Sequence, residues 1–181
     1  DKTGKLVKDS RRKYKYRVVF QGNRVVDENH YAAEFANLGS QPASMEASKM
    51  LDMYGCLGGN HMQQADATQA YIQAELTGPG TKPTYIHLPY EAWPESWKPE
   101  ARRAAGKAPL RRPVVRLLRA LYGHPDSGTL WEKHCDKGLQ KVDFVPVDNW
   151  PSCYWHEKLQ LMVCVYVDDF KLSGPKDNLS K

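Results

Sequence analysis

The chain has 181 residues, 41% hydrophobic and 26% charged, close to the soluble globular averages of ~45–50% and ~25%, which excludes collagen-like, coiled-coil and wholly disordered chains. That length suits one domain or two small intimate lobes. The formal net charge of +5 is unevenly spread: residues 1–24 carry nine Lys or Arg against two Asp, residues 98–119 carry eight against one Glu, and the remainder is acidic. Two basic segments therefore flank an acidic body.

No apolar run approaches the ~20 residues of a membrane span, so no membrane partner is expected. The stretch Asp1 to Lys15 is charged throughout and has no apolar signal core, and with no initiator Met the piece is expected to come from a longer polypeptide. Cys56, Cys135, Cys153 and Cys164 include no Cys-x-x-Cys pair, which favours a reducing intracellular setting over a disulfide scaffold. Cys153 with His156 has a metal-like spacing but no second pair in reach, so zinc is discarded.

In chain order, Tyr14–Gln21 alternates apolar Tyr14, Tyr16, Val18 and Phe20 with Lys15, Arg17, Val19 and Gln21, a strand pattern, and Gly22-Asn23 is a turn signal. From Ser44 to Leu57, Met50, Leu51, Tyr54 and Leu57 fall at helical spacing, with Ser44 as a cap. His61 to Ala65 reads as a short strand leading to Asp66 and then a helical turn toward Leu76. Thr77 to Pro83 is a loop with two Gly and two Pro. Tyr85 to Leu88 is a strand candidate, Pro89 to Pro113 is mostly irregular with a helix over Glu100–Lys107, and Leu130–Leu139 is a second long helix. Leu161 to Val167 is an apolar strand, Asp168-Asp169 the turn, and Phe170 to Leu172 the return strand.

Asp is common in turns for purely structural reasons, because its side chain bonds nearby amides. Two adjacent carboxylates nevertheless repel, each raising the other's pKa, unless a cation offsets them. At the tip of an apolar hairpin, Asp168 and Asp169 form a candidate metal platform, and Asp66 sits at a comparable strand exit. Should the strands be neighbours, three hard oxygen ligands meet, suited to Mg2+ or Mn2+. Two such ions ~3.5–4 Å apart stabilise the attacking and leaving oxygens of an in-line phosphoryl displacement. Flanking cations suit a nucleic-acid backbone. Spacing alone leaves polymerase and nuclease open.

Tyr166-Val167-Asp168-Asp169, after an apolar strand and before Phe-Lys-Leu-Ser-Gly, resembles the YVDD box of reverse transcriptases. YKYRVVFQGNRV (Tyr14–Val25), DATQAYIQAEL (Asp66–Leu76), YIHLP (Tyr85–Pro89) and VVRLLRALYGHPDSGTLWEKHCDKGL (Val114–Leu139) are similar, in order, to blocks of the copia-type long-terminal-repeat retrotransposon branch. The resemblance covers about Tyr14 to Gly174.

The resemblance implies an α+β right-hand polymerase: fingers over about 1–41 and 74–127, and palm over about 42–73 and 128–181. The palm is expected to hold a small antiparallel sheet with helices packed on one face, and the thumb to be absent. The implied activity is RNA-directed DNA synthesis on an RNA template from a DNA or RNA primer with deoxynucleoside triphosphates, within a Pol polyprotein and a cytoplasmic virus-like particle or the nucleus. Asp66, Asp168 and Asp169 are implied as catalytic ligands of two Mg2+ or Mn2+ ions, with the Ala67 carbonyl a further ligand. Lys15 and Arg17 are implied to hold the triphosphate, and Tyr71 to exclude a 2′-hydroxyl by clash. Where the family carries Leu-Lys-Gln, this chain has His124-Pro125-Asp126, so Asp126 sets an anion in place of an amide donor at a nucleotide-binding position. The rivals are a catalytically dead nucleic-acid-binding remnant and a metal-dependent nuclease.

Overall fold

Ser44 accepts a hydrogen bond from the Ala47 amide at 3.2 Å and starts α1 (Met45–Gly55), satisfying one of the amides a helix leaves unpaired at its beginning. In the computed structural model, which describes residues 17–35, 40–76 and 82–181, this helix leads into β1 (Asn60–Asp66) and the single turn α2 (Ala70–Gln73). Next come β2 (Tyr85–His87), α3 (Pro99–Ala104), β3 (Val114–Arg116) and α4 (Ser127–Gln140). The chain closes with β4 (Val145–Pro146), β5 (Cys153–His156), β6 (Leu161–Tyr166) and β7 (Asp169–Pro175).

Five strands form one antiparallel sheet in the order β1-β7-β6-β5-β4, and β2 pairs with β3 in a separate two-stranded sheet. Successive side chains of a strand point to opposite faces. On one face Leu161, Val163 and Val165 of β6 join Tyr154 of β5 and pack against Ala70 of α2 and Trp131 and Cys135 of α4. On the other, Met162 and Cys164 with Cys153 of β5 pack against Ala47 and Leu51 of α1. The helices thus cover both faces of the sheet, where one face was expected, because β6 is apolar at consecutive positions instead of alternating. Close approach of α1 to β1 needs Gly55, where a Cβ would come within 2.2 Å of Met62 Cγ.

Apolar burial carries the stability. Leu51 and Val163 are fully buried, each such side chain contributing ~1.5–3 kcal/mol. The Arg119–Glu75 ion pair, at 3.8 Å with both side chains more than half exposed, adds at most about 1 kcal/mol. Among the described residues no helix is long and apolar enough to cross a membrane.

Several sequence expectations change here. Tyr14–Tyr16, with Lys15, lie outside the described residues, as do 77–81 of the expected loop. Residues 17–21 are irregular rather than a strand; their path is held by Phe20, whose amide donates to the Tyr122 carbonyl at 2.7 Å, and among the described residues alternation there found no full strand partner. Gly22–Arg24 is a short 3-10 turn. The second long helix begins at Ser127, three residues before Leu130, because the buried Ser127 hydroxyl donates to the Leu121 carbonyl (2.7 Å) and accepts from the Leu121 amide (3.1 Å). Proline at the first position starts α3 at Pro99.

All four thiols are free; Cys56 is exposed and the others buried. Burial, helped by Glu132, pushes the Cys135 thiol up to about 12, and burial with Cys164 alongside pushes Cys153 up to about 11. Because the thiolate is the reactive form, a thiol reagent at pH 8 is expected to modify Cys56 alone in the native protein and all four after denaturation. Rapid native labelling of a second cysteine, read by peptide mass mapping, would contradict this packing.

Candidate active site

Asp66 ends β1 directly opposite Asp169, which begins β7, and Asp169 also pairs with Tyr166 at the end of β6. The Ala67 amide extends this ladder by donating to the Asp168 carbonyl at 2.8 Å. The backbones of Asp66, Ala67, Asp168 and Asp169 thus meet at one end of the central sheet. Directly opposed residues project from the same face, so Asp66 and Asp169 emerge together on the side of Lys171, the face that α1 covers further along β7.

The turn is displaced by one residue from its expected place. Val167 and Asp168 form the two-residue connection, and Asp169 already belongs to β7. Val167 has φ +56°, a backbone region that a β-branched residue rarely adopts. The Asp168 carboxylate is electrostatically coupled to Tyr71, whose phenol is pushed above its ordinary range first by burial, then by Asp168 and Tyr122. Asp66 and Asp169 are exposed and Asp168 is half-buried. Among the described residues no three acidic, His or Cys side chains are gathered in a metal-holding cluster. The three carboxylates are nonetheless hard oxygen donors at one sheet end, a donor set whose chemistry fits Mg2+ or Mn2+.

Aromatic contacts join the N-terminal segment to this end of the sheet. The Arg17 guanidinium lies 5.5 Å from the centre of the Tyr122 ring, and Tyr122 meets Tyr71 edge-on at 4.7 Å between centroids. Gly123 makes this approach workable: its φ is +86° and a Cβ would stand 2.2 Å from the Phe20 carbonyl oxygen. Arg17, Tyr71 and Asp168 therefore share one neighbourhood. Tyr71 also lines a pocket with Trp131, Val165 and Val167. Lys15 lies outside the described residues.

Asp126 precedes α4, makes no side-chain cap, and its amide donates to His124 Nδ1 at 3.1 Å. That fixes Nδ1 of His124 as an acceptor and leaves Nε2, 3.1 Å from Thr84 Oγ1, to carry the proton. The His124 ring also packs against Phe20 and Phe35 at 5.0 and 5.6 Å. Asp126 thus enters as part of the His124 junction. Three contributors escaped the sequence reading: Tyr122, His124, and Trp131, whose Nε1 donates to the Val167 carbonyl at 2.5 Å. Helical periodicity marks Trp131 as a core residue and carries no sign of where its N–H points.

The family model of the reverse transcriptases (RNA-dependent DNA polymerases) matches residues 2–180. The chain belongs to that family, whose members engage nucleic acid and deoxynucleoside triphosphates. No curated protein and no solved structure matches it.

Burial holds the His124 imidazolium pKa below its ordinary value, with Asp126 opposing. The unfolded chain therefore binds this proton more tightly, and the stability due to neutral His124 is present above about pH 6.5 and falls on acidification below it. The denaturation midpoint is expected to drop between pH 7.5 and 5.5, and His124→Gln to flatten that slope while lowering stability at pH 7.5. An unchanged slope in H124Q, followed by urea denaturation, would remove His124 from the pH response.

Proposed function

We propose that the chain is the fingers-and-palm part of a copia-type RNA-directed DNA polymerase within a Pol polyprotein, extending a DNA or RNA primer on an RNA template. The observation that carries this reading is the in-register pairing of Asp66 with Asp169 beside the Asp168 turn, in a chain of the reverse transcriptase family. The ordered copia-like blocks support the narrower assignment. Fingers would take about 1–41 and 74–127, palm about 42–73 and 128–181, and the setting would be a cytoplasmic particle or the nucleus.

In this reading Asp66, Asp168, Asp169 and the Ala67 carbonyl hold two Mg2+ or Mn2+ ions. When bound, such ions supply the positive charge that activates a primer 3′-hydroxyl and offsets charge on the leaving pyrophosphate. The protein's own part is positioning. Asp66 and Asp169 are fixed relative to each other by the strand ladder, and Asp168 is fixed by the turn and the Ala67 bond, so little reorganisation is needed at the moment of attack on the α-phosphorus. Arg17, with Lys15, offers positive charge to the triphosphate. Tyr71, which meets Tyr122 edge-on, would exclude a 2′-hydroxyl by clash. Asp126 is assigned to the nucleotide, and its amide ties it to His124.

Primer extension on an RNA template with Mg2+ or Mn2+ and deoxynucleotides tests this. Asp168→Asn is expected to lower incorporation by about 100-fold or more, in the range seen for loss of one preorganised charge-stabilising group, while the fold persists. Undiminished extension by D168N would refute the assignment. Tyr71→Val is expected to admit ribonucleotides, raising their incorporation relative to deoxynucleotides; an unchanged ratio would remove Tyr71 as the sugar selector.

A further inference from the structure

The Asp168 turn has an unusual demand placed on it. Its first central residue, Val167, sits at φ +56°, a conformation that persists only where the surroundings over-determine it. On its C-terminal side the Ala67 amide donates to the Asp168 carbonyl. On its N-terminal side Trp131 Nε1 donates to the Val167 carbonyl, across 36 residues of sequence. Trp131 is 5% exposed, packs in the core with Val163, Val165 and Tyr154, and stacks on His134 at 5.6 Å, so its indole has little freedom to turn away. A buried indole N–H needs an acceptor, and here that acceptor is the backbone of the turn.

We propose that Trp131 is a positioning residue: its N–H clamps the Val167 carbonyl and so sets the orientation of the turn that presents the Asp168 carboxylate. Two bonds from separate elements, α4 and the β1 exit, then hold the two peptide groups that flank Asp168. The role in turnover rests on the polymerase reading above; the clamp on the turn does not.

Two variants separate the N–H from the bulk of the ring. Trp131→Phe removes the donor and part of the volume, whereas replacement by benzothienylalanine keeps the bicyclic shape and removes the N–H alone. In primer extension both are expected to lower kcat about five- to tenfold, the size of one lost hydrogen bond, with the deoxynucleotide KM changed less than kcat. Hydrogen–deuterium exchange is expected to accelerate in the peptide spanning residues 163–172 and stay unchanged in α1 and β5. A purely structural role would instead speed exchange throughout α4, β5 and β6 and spare the benzothienyl variant. That pattern, or unchanged kcat and exchange in the benzothienyl variant, would overturn the proposal. If the unmodified chain extends no primer, the polymerase reading fails, and the exchange experiment alone decides whether Trp131 holds the turn.

Discussion

The pairing of β1 with β7 is the constraint on which the candidate site depends. With Asn60 opposite Pro175 and Asp66 opposite Asp169, seven ladder pairs bring two carboxylates 103 residues apart in sequence into the same position on one face. A one-residue slip would turn the side chains of a whole strand to the other face, carrying Asp66 away from Asp169. The register is held from below as well: Lys171 of β7 reaches α1, donating to the Ser48 carbonyl at 3.2 Å and to its hydroxyl at 3.1 Å, and pairing with Asp52 at 2.5 Å. A mostly buried ammonium is tolerable only with such partners, so this contact fixes where α1 sits on the sheet.

The second organising feature is the junction around residues 120–127. Leu76 and Ala120 donate to the Leu118 and Ala74 carbonyls at 2.9 Å each, joining the segment after α2 to the one after β3. Phe20 bonds Tyr122, His124 gathers Thr84, Phe20, Phe35 and Asp126, and Ser127 closes on Leu121. Segments from four separate parts of the chain are tied here. The consequence for function is that Arg17 and Tyr71, which belong to different segments, meet through Tyr122 next to Asp168.

The sheet is covered on both faces, and this explains how an acidic sheet end coexists with a firm scaffold. Leu51 below and Val163 and Val165 above are buried, whereas β1 is an edge strand exposed along nearly its whole length. The rigid part of the fold stands behind the carboxylates; Asp66 and Asp169 are exposed and Asp168 is half-buried, so a charged ligand can reach them without a large desolvation cost.

The strands flanking Asp66, Asp168 and Asp169 and the Ser44-capped helix could be read from the residues alone, because apolar runs, caps and turn residues act over a few positions. So could the carboxylates as a candidate set, since hard oxygen donors at strand ends carry their chemistry in their identity. Other features were decided by partners distant in sequence. Cys153–His156 and Val114–Arg116 became strands because β6 and β2 offered them edges; residues 17–21 are tied to Tyr122 by the Phe20 amide and are irregular. The turn moved to Val167-Asp168 because Asp169 was taken into pairing with both Asp66 and Tyr166. Trp131 acquired its bond to Val167 only when α4 packed across β6. Local pattern determined which residues could form an element and which could do chemistry; long-range packing and backbone pairing determined which of them meet, since a hydrogen bond or a ring contact exists only once both partners are in place.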